Sequence, residues 1–396
     1  MVSLGTYFLG VISGVVTWIQ PLEHLWPYQR DGITMVRIGV GEQFRNVQDN
    51  ILLDGNTPGI RLFDKHGYSV GESRGGGKKQ KHFVPEGDFI DIPITGEIVH
   101  MYPSKNGFEE AKMKVKGRGA AYISVSAGGP KPICVSYVAV TQPSGVQLVW
   151  YGDIGKQCGG SWYHSAIVAG ISYTPSVDQS NKYNGNWYRP YCLWIDGSAG
   201  KTVTQGMGIH LIDFAAGTTT ERINQYRNNY TQMCGSKPRF HLYNKITTDH
   251  YLPYFDPPLE YAPDGSDFKP NLIPADGSTQ GPLPPHQNRK VKSRSLPDQD
   301  SSYWEGVLIT SKYDSHSASE LCNSETSRGA DFVSYKEGLY CDMAAKELWV
   351  LCDKVHTYAC FDTKKNGMRP GKGLSGRDES SGRQIPGKSY HHVDEW

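Results

Sequence analysis

Net charge is nearly absent from this chain. Its 41 basic residues stand against 40 acidic ones over 396 positions, a formal balance of +1. A dedicated nucleic-acid binder carries a strong basic bias, so no nucleic-acid partner is expected. Charged residues are scarce in total, at 20%, while aromatics reach 11%. A wholly disordered chain lacks the apolar surface to offset its ordering entropy, so this composition belongs to a folded one. No internal run reaches the roughly 20 apolar residues of a membrane helix. There is no H-E-x-x-H pair and no C-x2-C pair, so neither common zinc arrangement is written here and no metal or cofactor is expected.

What is present in excess is glycine, 45 residues, and proline, 24 residues, both above their usual shares of about 7% and 5%. Such a chain spends much of its length in turns. Leu4 to Ile19 form an apolar stretch broken by glycines, serine and threonine, with polar sequence from Gln20. That length suits the core of a secretory signal, assigned to residues 1–24, although no Lys or Arg precedes it. An uncleaved anchor and a buried first helix are the alternatives. With the signal cleaved, no stable membrane span remains. All eight cysteines follow: Cys134, Cys158, Cys192, Cys234, Cys322, Cys341, Cys352 and Cys360. An even count behind a signal reads as a disulfide framework, and the cysteines divide four and four around a proline-rich break, so each half can pair internally. Asn229 heads the one N-glycosylation sequon. Together these imply an extracellular, secreted protein.

The pattern between the signal and the break is one of short strands. Ile90, Ile92 and Ile94 alternate on one face of a strand in which Pro93 implies a sheet edge. Lys112, Lys114 and Lys116 alternate similarly, as at a protected edge. Ala121–Val125 and Ile133–Val140 flank the turn cluster Gly128 to Pro132. Val146–Tyr151, Cys192–Ile195 and Met207–Phe214 complete a series that suggests a sandwich or barrel. One helix is expected after the capping box Thr218–Glu221, with Ile223, Tyr226, Tyr230 and Met233 on its buried face. From Pro253 to Pro297 ten prolines fall in 45 residues, the composition of a semi-extended linker, and Arg289 to Arg294 form a basic cluster where a processing protease could cut. Beyond it Ser317–Glu320 forms a second capping box, and Leu339–Cys341 with Leu348–Cys352 reads as a hairpin. The expected fold class is mainly β. It comprises a β-sandwich-like domain with one helix over 25–245, a Pro-rich linker over 246–302, and a small disulfide-stabilised α+β module over 303–396 with a mobile tail anchored, at most, by Trp396.

The C-terminal run Asp331-Phe332-Val333-Ser334, Glu337-Gly338-Leu339-Tyr340-Cys341-Asp342-Met343, Leu348-Trp349 and Cys352, continued by Cys360-Phe361-Asp362, Met368-Arg369, Gly373-Leu374, Arg377-Asp378, Gly382-Arg383, Ile385-Pro386, Lys388, Tyr390 and Trp396, resembles uncharacterised secreted proteins of filamentous ascomycete fungi. Trp150–Asp153, Cys158-Gly159 and Gly206–His210 fit the same architecture. The resemblance implies secretion and a fungal source, and it brings no catalytic residues with it.

Chemistry is sought among the aromatics. Trp150, Trp162, Trp187 and Trp194, with Tyr151, Tyr163, Tyr188 and Tyr191, crowd between 150 and 194. Neighbours in a strand face opposite ways, so each Trp-Tyr dipeptide can turn one ring outward as a stacking surface for sugars. The candidate glycan-binding residues are Trp162, Tyr163, Trp187 and Tyr188 for stacking and Asn186 and Arg189 for hydrogen bonds; filling the core is the competing role for the same rings. A polysaccharide hydrolase using a carboxylate pair among Asp153, Asp196 and Asp213 is the second reading, although the Asp196-Gly197 pair also suits a turn. A secreted effector or structural protein that binds another extracellular protein through the C-terminal module is the third. His164-Ser165 with Asp153 supplies the residue types of a triad, and His391-His392 with Asp394-Glu395 those of a chelate, without geometry for either. His210 and Asp213 fall on opposite faces if their segment is one strand. Arg74 to Lys79 reads as a surface loop rather than a phosphate cradle, for want of a following helix.

Overall fold

The computed structural model describes residues 8–12, 15–41, 53–73, 75, 83–104, 107–114, 118–173, 186–198, 204–214, 220–228, 230–235, 238–244, 252–268, 303–352, 359–370 and 384–396. The fold is mainly β. Its described residues fall into two compact units, one up to Phe268 and one from Tyr303.

Two sheets form the core of the first unit. In one, Ile133–Thr141 runs centrally between Ile33–Val40 and Cys192–Ile195, and also pairs with Gln147–Tyr151 through a tight turn at Gly145. All nine residues of Ile133–Thr141 are buried, as a strand flanked on both edges and both faces must be. Phe89–Thr95 closes one edge. Ile92 and Ile94 are buried there and Pro93 is exposed, as alternation with an edge proline requires. The second sheet runs in the order Phe240–Tyr243, Gly206–His210, Tyr122–Ser126, Gly59–Phe63, Ser69–Ser73. Ile60, Leu62, Ile123, Val125, Met207 and Ile209 are buried along it. Trp150 of the first sheet stacks on Phe240 of the second, ring centres 5.4 Å apart, which sets the sheets face to face.

The apolar stretch assigned to a signal is, in the structure, a β-hairpin. Phe8–Ile12 pairs with Val15–Pro21, which pairs in turn with Gly170–Tyr173, and Asn186–Tyr188 forms the far edge of this four-stranded sheet. Phe8, Leu9 and Ile19 are fully buried. The physical reason lies in the residues: Val, Ile, Thr, Trp and Phe interrupted by glycine favour an extended, pleated backbone over a helix. Gly10 is required at its place, since a Cβ there would lie 2.5 Å from the Ile19 side chain and 3.3 Å from the Tyr188 hydroxyl.

A second departure concerns the proline-rich break. Leu252 to Phe268 packs on the outer face of the second sheet, where Leu252 and Phe255 join Phe63, Ala121 and Tyr122 in a buried cluster. Proline excludes regular structure but not apolar packing, and this stretch carries Leu, Phe and Tyr among its prolines. The segment expected as one helix forms two, Thr220–Asn228 and Tyr230–Gly235, with Ile223, Tyr226 and Met233 buried, and a further short helix, Gly152–Gln157, was not expected. Thr218, Thr219, Asn229 and the basic cluster 289–294 lie outside the described residues.

The four disulfides pair within halves, as the four-and-four division implied. Cys134–Cys192 joins neighbouring strands and Cys158–Cys234 joins the end of the helix Gly152–Gln157 to Tyr230–Gly235. Cys322–Cys341 ties the helix Ala318–Asn323 to the strand Leu339–Asp342, and Cys352–Cys360 closes a short loop. The second unit's sheet runs Glu347–Val350, Leu339–Asp342, Asp331–Ser334, Val307–Ser311, His392–Glu395. Ser317 caps its helix by accepting the Glu320 amide at 2.9 Å. The chain's last residue, Trp396, is buried against His316 and Phe332.

Candidate functional site

The strand Asn186–Tyr188 carries the strongest surface signal. Trp187 is 60% exposed and Asn186 is exposed, whereas Tyr188 is 3% exposed. Strand alternation makes this split, as the sequence suggested. Trp187 lies opposite Ile171, and Ile171 lies opposite Gln20 on the next strand. Trp18, two residues before Gln20, therefore shares the Trp187 face and is half-buried. Sequence reading missed Trp18 because it fell inside the assigned signal. Arg189 follows the strand and is half-buried.

The other proposed stacking rings are not available. Trp162, Tyr163 and Tyr188 are buried, so their assignment as exposed ligand-stacking residues is corrected to core packing. Trp162 packs edge-on against Tyr191, and the Lys156 ammonium lies 3.9 Å from the Trp162 ring centre and 3.5 Å from that of Tyr191. The two-residue strand Trp162–Tyr163 sits at the edge of the first sheet, and both of its side chains are enclosed. Alternation gives opposite faces but cannot reveal that both are covered.

Tyr188 is held by chemistry rather than packing alone. Its hydroxyl donates a hydrogen bond to Asp153, at the start of the helix Gly152–Gln157. Burial pushes the Asp153 carboxyl up to about 7, against the opposing pull of the Tyr188 hydrogen bond and Lys156. Burial likewise raises the Tyr188 and Tyr151 phenols. Asp153 is thus enclosed, and the triad reading finds Ser165 hydrogen-bonded to Ser136 at 3.2 Å in the interior.

Asp213 anchors a buried ion network. The strand ends at His210 and a 3-10 turn, Leu211–Phe214, follows. Residues three apart eclipse in such a turn, so His210 and Asp213 meet at 2.8 Å instead of facing apart as a continuous strand would have them. Arg239 donates to Asp213 at 3.0 Å and to the Tyr226 hydroxyl at 2.9 Å, and it pairs with Asp267. Asp267 also accepts from Gln225 at 2.8 Å. Although burial opposes ionisation, Arg239, His210 and Arg222 hold the Asp213 carboxyl well below the usual range. A dedicated anion locked to two guanidinium groups is a fold element, not an acid or base. Asp196 accepts the Ser198 amide at 2.7 Å, the turn role that an Asp-Gly pair suggests.

In the second unit Asp331 and Asp342 stand on adjacent strands and share Lys388, at 2.8 and 2.5 Å. Tyr390 donates to Asp331 at 2.6 Å. His392 contacts Asp394 at 2.8 Å, and among the described residues no group of three or more His, Cys, Asp or Glu is placed to hold a metal.

Three motif spacings occur in the chain without the context that gives them chemistry. Gly382 to Ser389 has the spacing of a phosphate loop, but Lys388 is bound to two carboxylates and a strand, His392–Glu395, follows soon after it where a phosphate loop requires a helix. Gly71-x-Ser73-x-Gly75 has nucleophile-elbow spacing, but Ser73 ends an antiparallel edge strand. Gly371-x-Gly373-x-x-Gly376, like Arg74 and Gly76 to Lys79, lies outside the described residues. No family model matches the chain, nor does any curated protein or solved structure.

Proposed function

We propose that this is an extracellular protein that binds glycans through the face of its four-stranded sheet, with Trp187 as the stacking anchor. The observation that carries this reading is an indole 60% exposed on a strand whose next side chain is buried and hydrogen-bonded. A large flat ring presented from a fixed backbone costs little entropy on binding and suits the apolar face of a sugar. Trp18 adds a second indole on the same face, while Asn186 and Arg189 supply hydrogen-bond groups beside it. The described strand order places Trp187 and Gln20 two strand spacings apart, roughly 10 Å, a span that an extended oligosaccharide bridges and a monosaccharide does not. Four disulfides support an oxidising compartment, in line with the resemblance to secreted fungal proteins.

The hydrolase reading is the weaker one, because Asp153 and Asp213 are enclosed and Asp196 closes a turn. A glycan array followed by titration calorimetry on the best binder tests the proposal. Trp187→Ala is expected to weaken binding by about 30-fold or more, the loss of an interface anchor worth about 2 kcal/mol. Unchanged affinity in a folded Trp187→Ala protein removes the reading, and product release from the bound glycan favours the hydrolase.

A further inference from the structure

Asp153 and Trp187 are separated by one hydrogen bond and one peptide unit. Tyr188, buried at 3% exposure, donates its hydroxyl to Asp153, itself 3% exposed, and Trp187 is the preceding residue. The strand that carries both has only three residues and is the outer strand of its sheet. Among the described residues its ladder runs to Gly170–Tyr173 alone, and Ala169 donates to the Tyr188 carbonyl at 3.0 Å. So short an edge strand gains much of its hold from the one side chain that reaches inward.

We propose that Asp153 is a positioning residue for the Trp187 face, holding the strand Asn186–Tyr188 through the Tyr188 hydroxyl with a firmness set by whether Asp153 carries a proton. The inference rests on the glycan reading for its functional consequence, and for the coupling on the buried Tyr188–Asp153 hydrogen bond and the enclosure of the carboxyl.

The surroundings of Asp153 make the proton matter. Tyr188 faces it from the edge strand, and Tyr151, from Gln147–Tyr151, packs edge-on to Tyr188 with ring centres 5.0 Å apart. The Tyr151 hydroxyl is buried without a hydrogen-bond partner among the described residues. Tyr137 adjoins Tyr151 from the central strand. The Tyr191 backbone contributes a hydrogen bond. Lys156, on the same short helix, is, among the described residues, the cation that acts on the carboxyl, and its ammonium lies over the rings of Trp162 and Tyr191. Gly10 of the N-terminal hairpin covers the Tyr188 hydroxyl, and neither hairpin strand contains an ionisable residue. An anion here is therefore poorly compensated.

Opening the strand hydrates Asp153 and returns it to the ordinary carboxylate range near 4, whereas the closed strand keeps its proton up to about 7. Linkage then fixes the direction. Between about pH 4 and pH 7 the opening equilibrium rises about tenfold per pH unit, and it levels off above. The Trp187 face is firm in acid and looser at neutral pH.

The test is amide hydrogen exchange on the full chain, read in the peptide spanning 186–192 and corrected for the intrinsic pH dependence of exchange. Protection is expected to fall about tenfold per pH unit from pH 5 to pH 7. In Asp153→Asn, whose amide oxygen still accepts from Tyr188, that slope disappears. A purely structural Asp153 gives a uniform change at all pH instead, and a slope that persists in Asp153→Asn overturns the proposal. If Asp153→Asn does not fold, infrared spectroscopy of the unsubstituted protein decides: a buried carboxylic-acid stretch must vanish over the same interval as protection, and its absence is equally fatal. Calorimetry with the glycan found on the array separates the two ideas. An exchange slope without any glycan binding upholds the positioning role and removes the glycan reading. Glycan binding with flat exchange does the reverse.

Discussion

His210 Nδ1 lies 2.8 Å from Asp213 Oδ2, three residues on, because the strand that ends at His210 tightens into a 3-10 turn. The pair is one corner of a buried network in which Arg239 joins Asp213 to Asp267. Asp213 arrives from the second sheet and Asp267 from the proline-rich stretch, so Arg239 fastens that stretch to the domain. Removing one member of a buried ion pair leaves an uncompensated charge, costing about 3–5 kcal/mol. Arg239→Met is expected to lower unfolding free energy by that order in urea titration, and Asp213→Asn to relieve part of the loss when combined with it.

Acid should attack the same network. The Asp213 carboxyl is held below the usual range by Arg239, His210 and Arg222. A depressed folded-state pKa contributes stability that is present above the unfolded value, near 4, and is lost as pH falls further. Melting temperature followed from pH 5 to pH 2 should therefore drop more steeply in the unsubstituted protein than in Asp213→Asn. Parallel curves would show that other carboxylates govern acid unfolding.

Much of this fold is legible in the residues. The alternation around Ile92 and Ile94 names both a strand and, through Pro93, its place at an edge. The division of cysteines correctly separates two internal pairs of disulfides, yet spacing could not choose among the pairings within each half. The N-terminal hairpin was hidden because an apolar run of that length suits a leader as well as two strands, and its pairing with Gly170–Tyr173 joins residues far apart in sequence. Leu252 to Phe268 was hidden because proline content masks a few apolar anchors. The candidate site was half legible: alternation predicts that one ring of Trp187-Tyr188 faces out, but the enclosure of both Trp162 and Tyr163 depends on neighbours distant in sequence.

Trp162 and Trp187 should therefore behave oppositely on truncation. Trp162 is 1% exposed, and replacing a core tryptophan by alanine costs about 3–5 kcal/mol. Trp187 is 60% exposed, and a surface change away from packing features stays within about 0.5 kcal/mol. Urea titration of Trp162→Ala and Trp187→Ala measures both. A large stability loss in Trp187→Ala would mean that its ring is a packing element, which would also undercut its role as a ligand anchor.

Phe255 tests whether the start of the proline-rich stretch belongs to the domain. It is 1% exposed, and its amide donates to the Tyr122 hydroxyl at 3.0 Å. Phe255→Ala is expected to cost about 3–5 kcal/mol and to admit proteases between 252 and 268. In the unsubstituted protein limited proteolysis should spare that interval. Ready cutting there would return the stretch to the status of a free linker.

Lys388 settles a conflict built into the second unit. Asp331 and Asp342 face each other on neighbouring antiparallel strands, a juxtaposition of like charges that destabilises a sheet. The Lys388 ammonium lies within hydrogen-bond distance of both, and Asp331 also accepts from the Tyr390 and Tyr340 hydroxyls and the Met343 amide. These carboxylates hold the Lys388 amine above its ordinary value despite its burial, so its stabilisation is present at neutral pH and fades only in strong alkali. Lys388→Met removes the compensation and leaves the carboxylates. Because Lys388 is partly exposed, solvent screens the loss, and the expected cost at pH 7 is about 1–3 kcal/mol. Differential scanning calorimetry at pH 7 measures the deficit. A Lys388→Met protein as stable as the unsubstituted one would mean that Lys388 contributes through its packed methylenes, which methionine retains, and not through its charge.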